Sequence, residues 1–435
     1  MNKSLDFKIE GGRKLSGTAI TNISKNSAVV LLCASLLNKQ KTVLKRMPRI
    51  EEVFRIIEVL NSIDVRTKWK NKSDLEIMPP KKLNLNKLNM QSAVKTRSII
   101  MFLGPLVHLF NNFKIPHAGG CRLGKRTVKP HLYALENFGI NINTLESSYK
   151  VTAKKIKSAE IILYESGDTV TANTIMAAAK IPAKTIIKFA SANYQVQDLC
   201  YFLEKFGVKI DGVGTTTLTI RGVKDINKAV TYYPSEDPIE SMLFLSIAAT
   251  TKSSLTIKRC PINFLELELL KLEKMGFKYR IIKRYKANNK YTNLVDIKTF
   301  PSNLVALEEK IYARPFPGLN IDNLPFFVPI ATQAKGKTLI HDWIYEGRAL
   351  YYKELEKLGA NIILADPHRV YIEGPTKLKA AKIICPPALR PAAIILIAML
   401  AAKGTSVLNS VYSINRGYED LYARLNKLGA KIKRI

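Results

Sequence analysis

The chain has 435 residues, of which 47% are hydrophobic and 24% are charged, so it is long enough for two well-packed domains and is not a disordered chain. The 68 lysines and arginines outnumber the 35 aspartates and glutamates, but they are spread along the chain without a basic tail, which favours small anionic substrates over a nucleic-acid partner. Five scattered cysteines without a C-x-x-C pair indicate neither a zinc site nor a disulfide framework, and they favour a reducing compartment.

The apolar runs of the chain are too short to cross a membrane. The longest are SAVVLLCASLL from Ser27 and PAAIILIAMLAA from Pro391, and both fall short of the roughly 20 residues that a bilayer requires. The amino-terminal segment lacks the apolar centre of a secretory signal. We therefore expect a cytoplasmic protein with no membrane span. Its oligomeric state is open, and a monomer is assumed.

Six copies of one pattern follow each other along the chain. Each copy has an apolar helix, a short β-rich run, an amphipathic helix and a second strand such as LTIRG from Leu218 or VYIEG from Val370. The amphipathic helices of the last two copies stop at Gly359 and Gly429. The copies begin, in order, at Ser27, Thr96, Asn173, Ile239, Asn323 and Arg390.

Six such repeats can form two groups of three, each around a shared core. The segment Asp225–Pro238 separates the first three copies from the last three. We therefore predict an α/β protein with two domains. The first covers residues 25–230, and the second covers residues 231–435 together with residues 1–24, which return to it as a strand.

The second copy is interrupted by HAGGCRLGKRTVKPHL, residues 117–132. Here Cys121 follows two glycines and has several cations near it in sequence, among them Arg122 and Arg126. Nearby cations lower the pKa of a thiol, and glycines allow a backbone to approach a ligand closely. A long loop inserted into a regular repeat is more often functional than structural. The stretch therefore predicts an activated thiol beside an anion.

Four stretches together resemble the enolpyruvyl transferase family over nearly the whole chain. They are GGRKLSGTAITNISKNSAVVLLCASLL, GGCRLGKRTVKPHL, RPFPGLNID and INRGYEDLYARLNKLGAKI. The resemblance implies two inverse α/β-barrel-like domains, each from three helix-strand-helix-strand repeats, with the active site in the cleft between them. It also implies transfer of the enolpyruvyl group of phosphoenolpyruvate to the 3-hydroxyl of UDP-N-acetylglucosamine, a step of peptidoglycan precursor synthesis, without a cofactor. The five histidines show no metal-ligand spacing, so no metal site is predicted.

The resemblance also implies roles for individual residues. Cys121 would donate the proton to phosphoenolpyruvate, as suits a thiol of lowered pKa, and Asp322 would accept the proton of the sugar hydroxyl, with an N-cap as its alternative role. A phosphate and a carboxylate require several cations. Phosphoenolpyruvate binding falls to Lys25, Asn26, Arg126, Arg390 and Arg416, and sugar-nucleotide binding to Arg97, Thr127, Val128, Asp168, Asp322 and Ile344.

Three departures from the family pattern keep alternatives open. Ala388 stands where the family has an aspartate, Lys129 reverses a charge in the cysteine loop, and NIDNLPF replaces the polar neighbours of Asp322 by apolar residues. The alternatives are an enolpyruvyl transferase with another acceptor, such as shikimate 3-phosphate, and a catalytically silent paralogue that binds nucleotide sugars. Cys121 argues against the shikimate type, which does not use this cysteine.

Overall fold

A computed structural model describes residues 5–119 and 127–435. The chain divides into two compact units. The N-terminal unit contains the described residues of 23–119 and 127–235, and the C-terminal unit contains residues 5–22 and 236–435. Cys121 and Arg126, two of the predicted site residues, lie outside the described residues.

The described residues contain strands, α-helices and short 3-10 helices in alternation. The strands are β1 (Phe7–Gly11), β2 (Ser16–Ile20), β3 (Thr42–Leu44), β4 (Arg66–Lys70), β5 (Asp74–Met78), β6 (Asn112–Pro116), β7 (Asn141–Thr144), β8 (Ser148–Thr152), β9 (Glu160–Ile162), β10 (Lys184–Lys188), β11 (Lys209–Asp211), β12 (Thr217–Arg221), β13 (Val230–Tyr232), β14 (Ser254–Pro261), β15 (Lys278–Lys286), β16 (Asn293–Phe300), β17 (Leu304–Val305), β18 (Ile311–Tyr312), β19 (Ala334–His341), β20 (Asn361–Asp366), β21 (Arg369–Gly374), β22 (Lys382–Ile384), β23 (Gly404–Asn409) and β24 (Lys431–Arg434). The α-helices are α1 (Lys25–Ala34), α2 (Glu51–Ser62), α3 (Met90–Ala93), α4 (Leu103–Leu106), α5 (Lys129–Glu136), α6 (Asp168–Ala178), α7 (Tyr194–Lys205), α8 (Pro238–Thr250), α9 (Glu266–Lys274), α10 (Phe327–Ala331), α11 (Leu389–Ala401), α12 (Tyr412–Asn415) and α13 (Leu421–Lys427). The 3-10 helices are Ser35–Leu37, Leu85–Lys87, Arg97–Phe102, Ile262–Phe264, Leu324–Phe326 and Ala349–Leu358.

The strands form six sheets, three in each unit. In the N-terminal unit the strand orders are β13-β3-β5-β4, β6-β8-β7 and β11-β12-β10-β9. In the C-terminal unit they are β22-β23-β1-β24, β15-β16-β14-β2 and β17-β19-β21-β20, with β18 also on β19. Strand β1 pairs antiparallel with both β23 and β24, so the start of the chain completes a sheet made by its end.

Five of the six sheets share one pairing scheme. Each of these sheets has four strands in a row, of which the first two pair parallel and the other neighbours pair antiparallel. In one example, β9 pairs parallel with β10, β10 pairs antiparallel with β12, and β12 pairs antiparallel with β11. The predicted α/β class with three repeats in each unit is confirmed by this recurrence. Each repeat keeps its own sheet, and among the described strands no sheet closes on itself.

The apolar helices of each unit pack against one another, whereas an amphipathic helix such as α9 keeps an exposed face. In the C-terminal unit α8, α10 and α11 pack against one another, and they lie against β14, β19 and β1, respectively. All thirteen residues of α8 and twelve of the thirteen in α11 are buried, as expected for helices that are apolar on every side. In the N-terminal unit α1 and α6 pack against the helical segment 97–106. None of the helices in the described part of the chain is long and apolar enough to cross a membrane.

A glycine ends the strand that approaches each of three core helices. The strand segments FKIEG, LTIRG and VYIEG end at Gly11, Gly222 and Gly374. A Cβ atom added to these glycines would lie between 2.1 and 2.6 Å from a backbone carbonyl oxygen, closer than any real contact. These residues are glycine because the strand touches the carbonyl end of the helix.

Replacing one of these glycines should destabilise its unit. In Gly222→Ala the new methyl group would meet the carbonyl oxygens of Ala178 and Ala179. We expect the free energy of unfolding to fall by about 1–3 kcal/mol, the usual cost of overpacking, as measured by urea denaturation. The exposed neighbour variant Arg221→Ala is the control and should change stability by no more than about 0.5 kcal/mol. Equal stabilities of the two variants would contradict this packing explanation.

Candidate active site

The described site residues predicted from the sequence stand mostly at the starts of helices. Lys25 is the first residue of α1, Arg97 begins a 3-10 helix, Asp168 is the first residue of α6, and Arg390 is the second residue of α11. The first N–H groups of a helix have no partner within the helix and carry partial positive charge. The N-terminal end of a helix therefore favours the binding of anions. In both units these predicted site residues lie at such ends.

Arg390 is the centre of a charged cluster in the C-terminal unit. It is only 7% exposed. Its Nη1 donates a hydrogen bond to the hydroxyl of Tyr418 at 2.7 Å, and its Nη2 donates to Oδ2 of Asp322 at 3.3 Å. Burial opposes the positive charge, but Tyr418, Asp322 and Asp237 together raise the pKa of Arg390 above its ordinary value. The structure thus brings Asp322, the predicted base, into contact with Arg390, which is predicted to bind phosphoenolpyruvate.

Asp237, at the start of the neighbouring helix α8, is a further carboxylate whose charge acts on Arg390, although the sequence pattern indicates only a connecting segment at this position. It is the N-cap of α8, where its Oδ1 accepts hydrogen bonds from the N–H groups of Ile239 at 2.8 Å and Glu240 at 3.4 Å. Burial raises the pKa of this carboxyl to about 6, although Arg390 acts in the opposite direction. The dipeptide Asp237-Pro238 is a helix-start signal that could have identified it.

Arg416 follows α12 in the RGYE segment, and its backbone N–H donates to the carbonyl of Tyr412 at 3.0 Å. The next residue, Gly417, lies against the first residue of α11, because a Cβ atom there would be 2.2 Å from a side-chain carbon of Leu389. The glycine therefore allows the segment that carries Arg416 and Tyr418 to pack on the helix end that carries Arg390.

A buried ion pair supports the backbone beside Asp322. Arg348 is fully buried and donates from Nε to Oδ2 of Asp342 at 2.6 Å and from Nη2 to Oδ1 at 2.8 Å. Its Nη2 also donates to the carbonyl of Ile321 at 2.9 Å. Ile344, a predicted sugar-nucleotide contact that is 37% exposed, lies in the loop between the two charged residues. The pair therefore connects two predicted site segments. No spacing rule in the sequence indicates this role.

Hydrogen bonds join three helix starts in the N-terminal unit. Asn26 donates from Nδ2 to the hydroxyl of Tyr194 at 3.0 Å, which connects the start of α1 to that of α7. Asp168 accepts hydrogen bonds from Ser191 at 2.5 Å, from Asn193 at 3.0 Å and from Gln195 at 2.8 Å, which connects α6 to α7. The Asp168 carboxylate is thus well supplied with donors from its own unit.

Arg97 contacts another of the predicted sugar-nucleotide residues. Its Nη2 donates to the carbonyl of Thr127 at 3.2 Å, and Thr127 is exposed at the first described position after the cysteine loop. Val128 is the N-cap residue of α5 and is half-buried. Four cysteines lie in the described part of the chain, and all four are buried: Cys33, Cys200, Cys260 and Cys385. Burial raises the pKa of the Cys260 and Cys385 thiols to about 12, which disfavours the thiolate, the reactive form of a cysteine.

The family described as EPSP synthase (3-phosphoshikimate 1-carboxyvinyltransferase) matches residues 9–425 of the chain. A UDP-N-acetylglucosamine 1-carboxyvinyltransferase of Bradyrhizobium diazoefficiens is 32% identical over 433 residues, which cover 99% of this chain and 98% of that protein. A protein of the same name from Bacteroides thetaiotaomicron is 32% identical over 438 residues and 99% of each chain.

Solved structures resemble the chain over its whole length. The enolpyruvyl transferase NikO from Streptomyces tendae superimposes with a TM-score of 0.85 at 21% identity, covering 99% of each chain. An EPSP synthase from Acinetobacter baumannii superimposes with a TM-score of 0.77 at 16% identity, covering 99% of this chain and all of that one. These likenesses confirm the predicted fold.

Replacing one partner of the buried Arg348–Asp342 pair should lower the free energy of unfolding more than replacing both partners. Arg348→Met leaves the Asp342 carboxylate buried without its cation, and we expect the free energy of unfolding to fall by about 3–5 kcal/mol in urea denaturation. The double variant Arg348→Met/Asp342→Leu should lose less, because no charge is left unpaired. Lys353→Met, at an exposed lysine nearby, is the control and should have almost no effect. A double variant as unstable as the single one would contradict this view.

Proposed function

The chain belongs to the EPSP synthase family of enolpyruvyl transferases, and from this premise we propose that it transfers the enolpyruvyl group of phosphoenolpyruvate to the 3-hydroxyl of UDP-N-acetylglucosamine. Phosphate is released, and the product is a precursor of peptidoglycan. The observation that carries the proposal is the full-length identity of 32% to relatives with that named activity. The GGCRLGKR loop in the sequence supports the same acceptor.

The proposed mechanism is an addition followed by an elimination. Asp322 accepts the proton of the sugar hydroxyl while the oxygen adds to C2 of phosphoenolpyruvate, and the Cys121 thiol gives a proton to C3. The Cys121 thiolate left by this addition then takes a proton from C3 as the C2–O bond to phosphate breaks, which restores both the double bond and the thiol and releases phosphate. The Asp322 side chain is 24% exposed, so it is accessible to a substrate while it contacts Arg390.

Cations bind the two anionic groups of phosphoenolpyruvate in this proposal. Lys25, Arg126, Arg390 and Arg416 supply positive charge, and Asn26 supplies an amide at the start of α1. Arginine is suited to this task because its planar guanidinium binds a carboxylate or phosphate through two hydrogen bonds. Arg390 supports the proposal most directly, since it is buried and charged. The proposed sugar-nucleotide contacts are Arg97, Thr127, Val128, Asp168, Asp322 and Ile344.

Phosphate release should identify the acceptor. With phosphoenolpyruvate and UDP-N-acetylglucosamine, the purified protein should release phosphate, and it should release none with shikimate 3-phosphate or without an acceptor. Release with shikimate 3-phosphate instead would overturn the proposed acceptor and favour the activity in the family's own description. If neither acceptor supports release, the binding of UDP-N-acetylglucosamine should be measured by calorimetry. Binding without phosphate release would favour the catalytically silent paralogue, the alternative that Ala388 suggests.

A second experiment tests the activated thiol. An epoxide phosphonate such as fosfomycin should alkylate Cys121, because a thiolate opens the ring by forming a C–S bond as a C–O bond breaks. Mass spectrometry should locate the adduct on the peptide that contains Cys121. Cys121→Ser should abolish the adduct and most of the turnover but keep substrate binding. Cys385→Ser, at a buried thiol of raised pKa, should behave like the wild type. An adduct on another cysteine would contradict the assignment.

A further inference from the structure

Asp322 lies in a tight turn between β18 and the 3-10 helix that begins at Leu324. The N–H of Asn323 donates to the carbonyl of Asn320 at 2.9 Å, which closes a turn over residues 320–323. The side-chain oxygen of Asn320 accepts a further hydrogen bond from the N–H of Asp322 at 2.9 Å. An aspartate side chain is short and has few rotamers. The position of the turn therefore determines where the Asp322 carboxylate can reach.

The carboxylate of Glu268, on helix α9, holds both ends of this turn. Its Oε1 accepts one hydrogen bond from the N–H of Asn320 at 3.2 Å and another from Nδ2 of Asn323 at 2.7 Å. Glu268 is 2% exposed and Asn323 is fully buried, so water does not compete for these bonds. A shift of the turn relative to α9 would break both hydrogen bonds at once.

Glu268 is an unusual residue at its position in the helix. The neighbouring glutamates of α9, Glu266 and Glu273, are exposed, whereas Glu268 lies on the buried side with Leu269 and Leu272. Glutamate is rarely buried unless it has partners, and burial raises the pKa of this carboxyl. The partners that Glu268 has are the two asparagines of NIDNLPF, the segment in which the chain departs from the family pattern around Asp322.

The turn is held from a second side as well. Arg348 donates to the carbonyl of Ile321 at 2.9 Å, so three of the four residues of the turn have hydrogen bonds to side chains outside it. The remaining residue is Asp322, whose carboxylate reaches Arg390 at 3.3 Å. The anchoring thus falls on the neighbours of Asp322 and leaves its side chain for the site.

We propose that Glu268 is a positioning residue for Asp322: by holding Asn320 and Asn323 it fixes the turn so that the Asp322 carboxylate meets the hydroxyl of the sugar substrate. The inference rests on the proposed function, in which Asp322 is the base. A base must lie within about 2.6–3.2 Å of the atom whose proton it takes, and a displacement of about 1 Å can lower a rate by roughly 100-fold. Glu268 acts through the turn.

Variants of Glu268 separate its hydrogen bonds from its charge. Glu268→Gln keeps an accepting oxygen, so kcat for phosphate release should stay within about twofold of the wild type. Glu268→Met removes the acceptor, and we expect kcat to fall roughly 10–100-fold while the KM of both substrates changes far less. Glu273→Met, at an exposed position of the same helix, is the control and should behave like the wild type.

A double variant separates positioning from stability. Glu268→Met leaves the buried Asn323 amide without its acceptor, so its melting temperature should fall. Glu268→Met/Asn323→Leu replaces both partners by apolar side chains and should regain most of that loss, but its kcat should stay low because the turn is no longer held. A wild-type kcat in Glu268→Met, or a double variant that regains kcat together with stability, would overturn the proposal. If Glu268→Met does not fold, the kcat of the double variant decides.

Hydrogen exchange of the turn separates this inference from the proposed function. The N–H groups of Asp322 and Asn323 are hydrogen-bonded within the turn, so their exchange reports on its order without turnover. In a peptide covering residues 319–326, mass spectrometry should find exchange as slow in Glu268→Gln as in the wild type and roughly tenfold faster in Glu268→Met. Equal exchange in all three proteins would overturn the role of Glu268. The expected order of exchange in a wild type that releases no phosphate would count against the proposed function alone.

Discussion

A helix that is apolar on every side is stable in water only if it is covered on every side, and this constraint organises the C-terminal unit. Helices α8, α10 and α11 cover one another, and one sheet covers each of them from outside. A single repeat has one such helix and one sheet and leaves most of the helix exposed. Three repeats are therefore the smallest group that buries all of its apolar surface.

The same constraint explains why polar chemistry collects at helix ends. A helix that is buried all round has no polar face, so only its ends can carry charged or hydrogen-bonding side chains. The first turn also leaves N–H groups without partners, which favours capping oxygens and anions. This arrangement explains why Asp237 caps the start of α8, why Ser24 caps the start of α1, and why Arg390 lies in the first turn of α11.

Because these helix ends are buried, the stability of each charged group there depends on a partner of opposite charge. In a buried cluster, a charge without its partner costs several kcal/mol, or roughly 3–5 kcal/mol where a pair is broken. The cluster around Arg390 therefore depends on Asp322 and Tyr418, which contact it directly. The Arg348–Asp342 pair shows the same principle. Two hydrogen bonds join the guanidinium to the carboxylate, and one more, from Nη2, reaches the carbonyl of Ile321.

The sequence alone predicts the α/β fold and its three repeats in each unit, because periodicity, turn glycines and apolar runs are local properties that are repeated along this chain. It also determined which residue types stand near the helix ends, such as Arg390 before PAAIILIAM and Lys25 before an apolar run. Which of these residues act together depends on how the helices and strands pack. The sequence pattern indicates only a connecting segment at Asp237 and no role for Arg348, because the partners of both residues are distant in sequence. Hydrogen bonds and buried charges depend on distances across packed elements, and one sequence does not contain those distances.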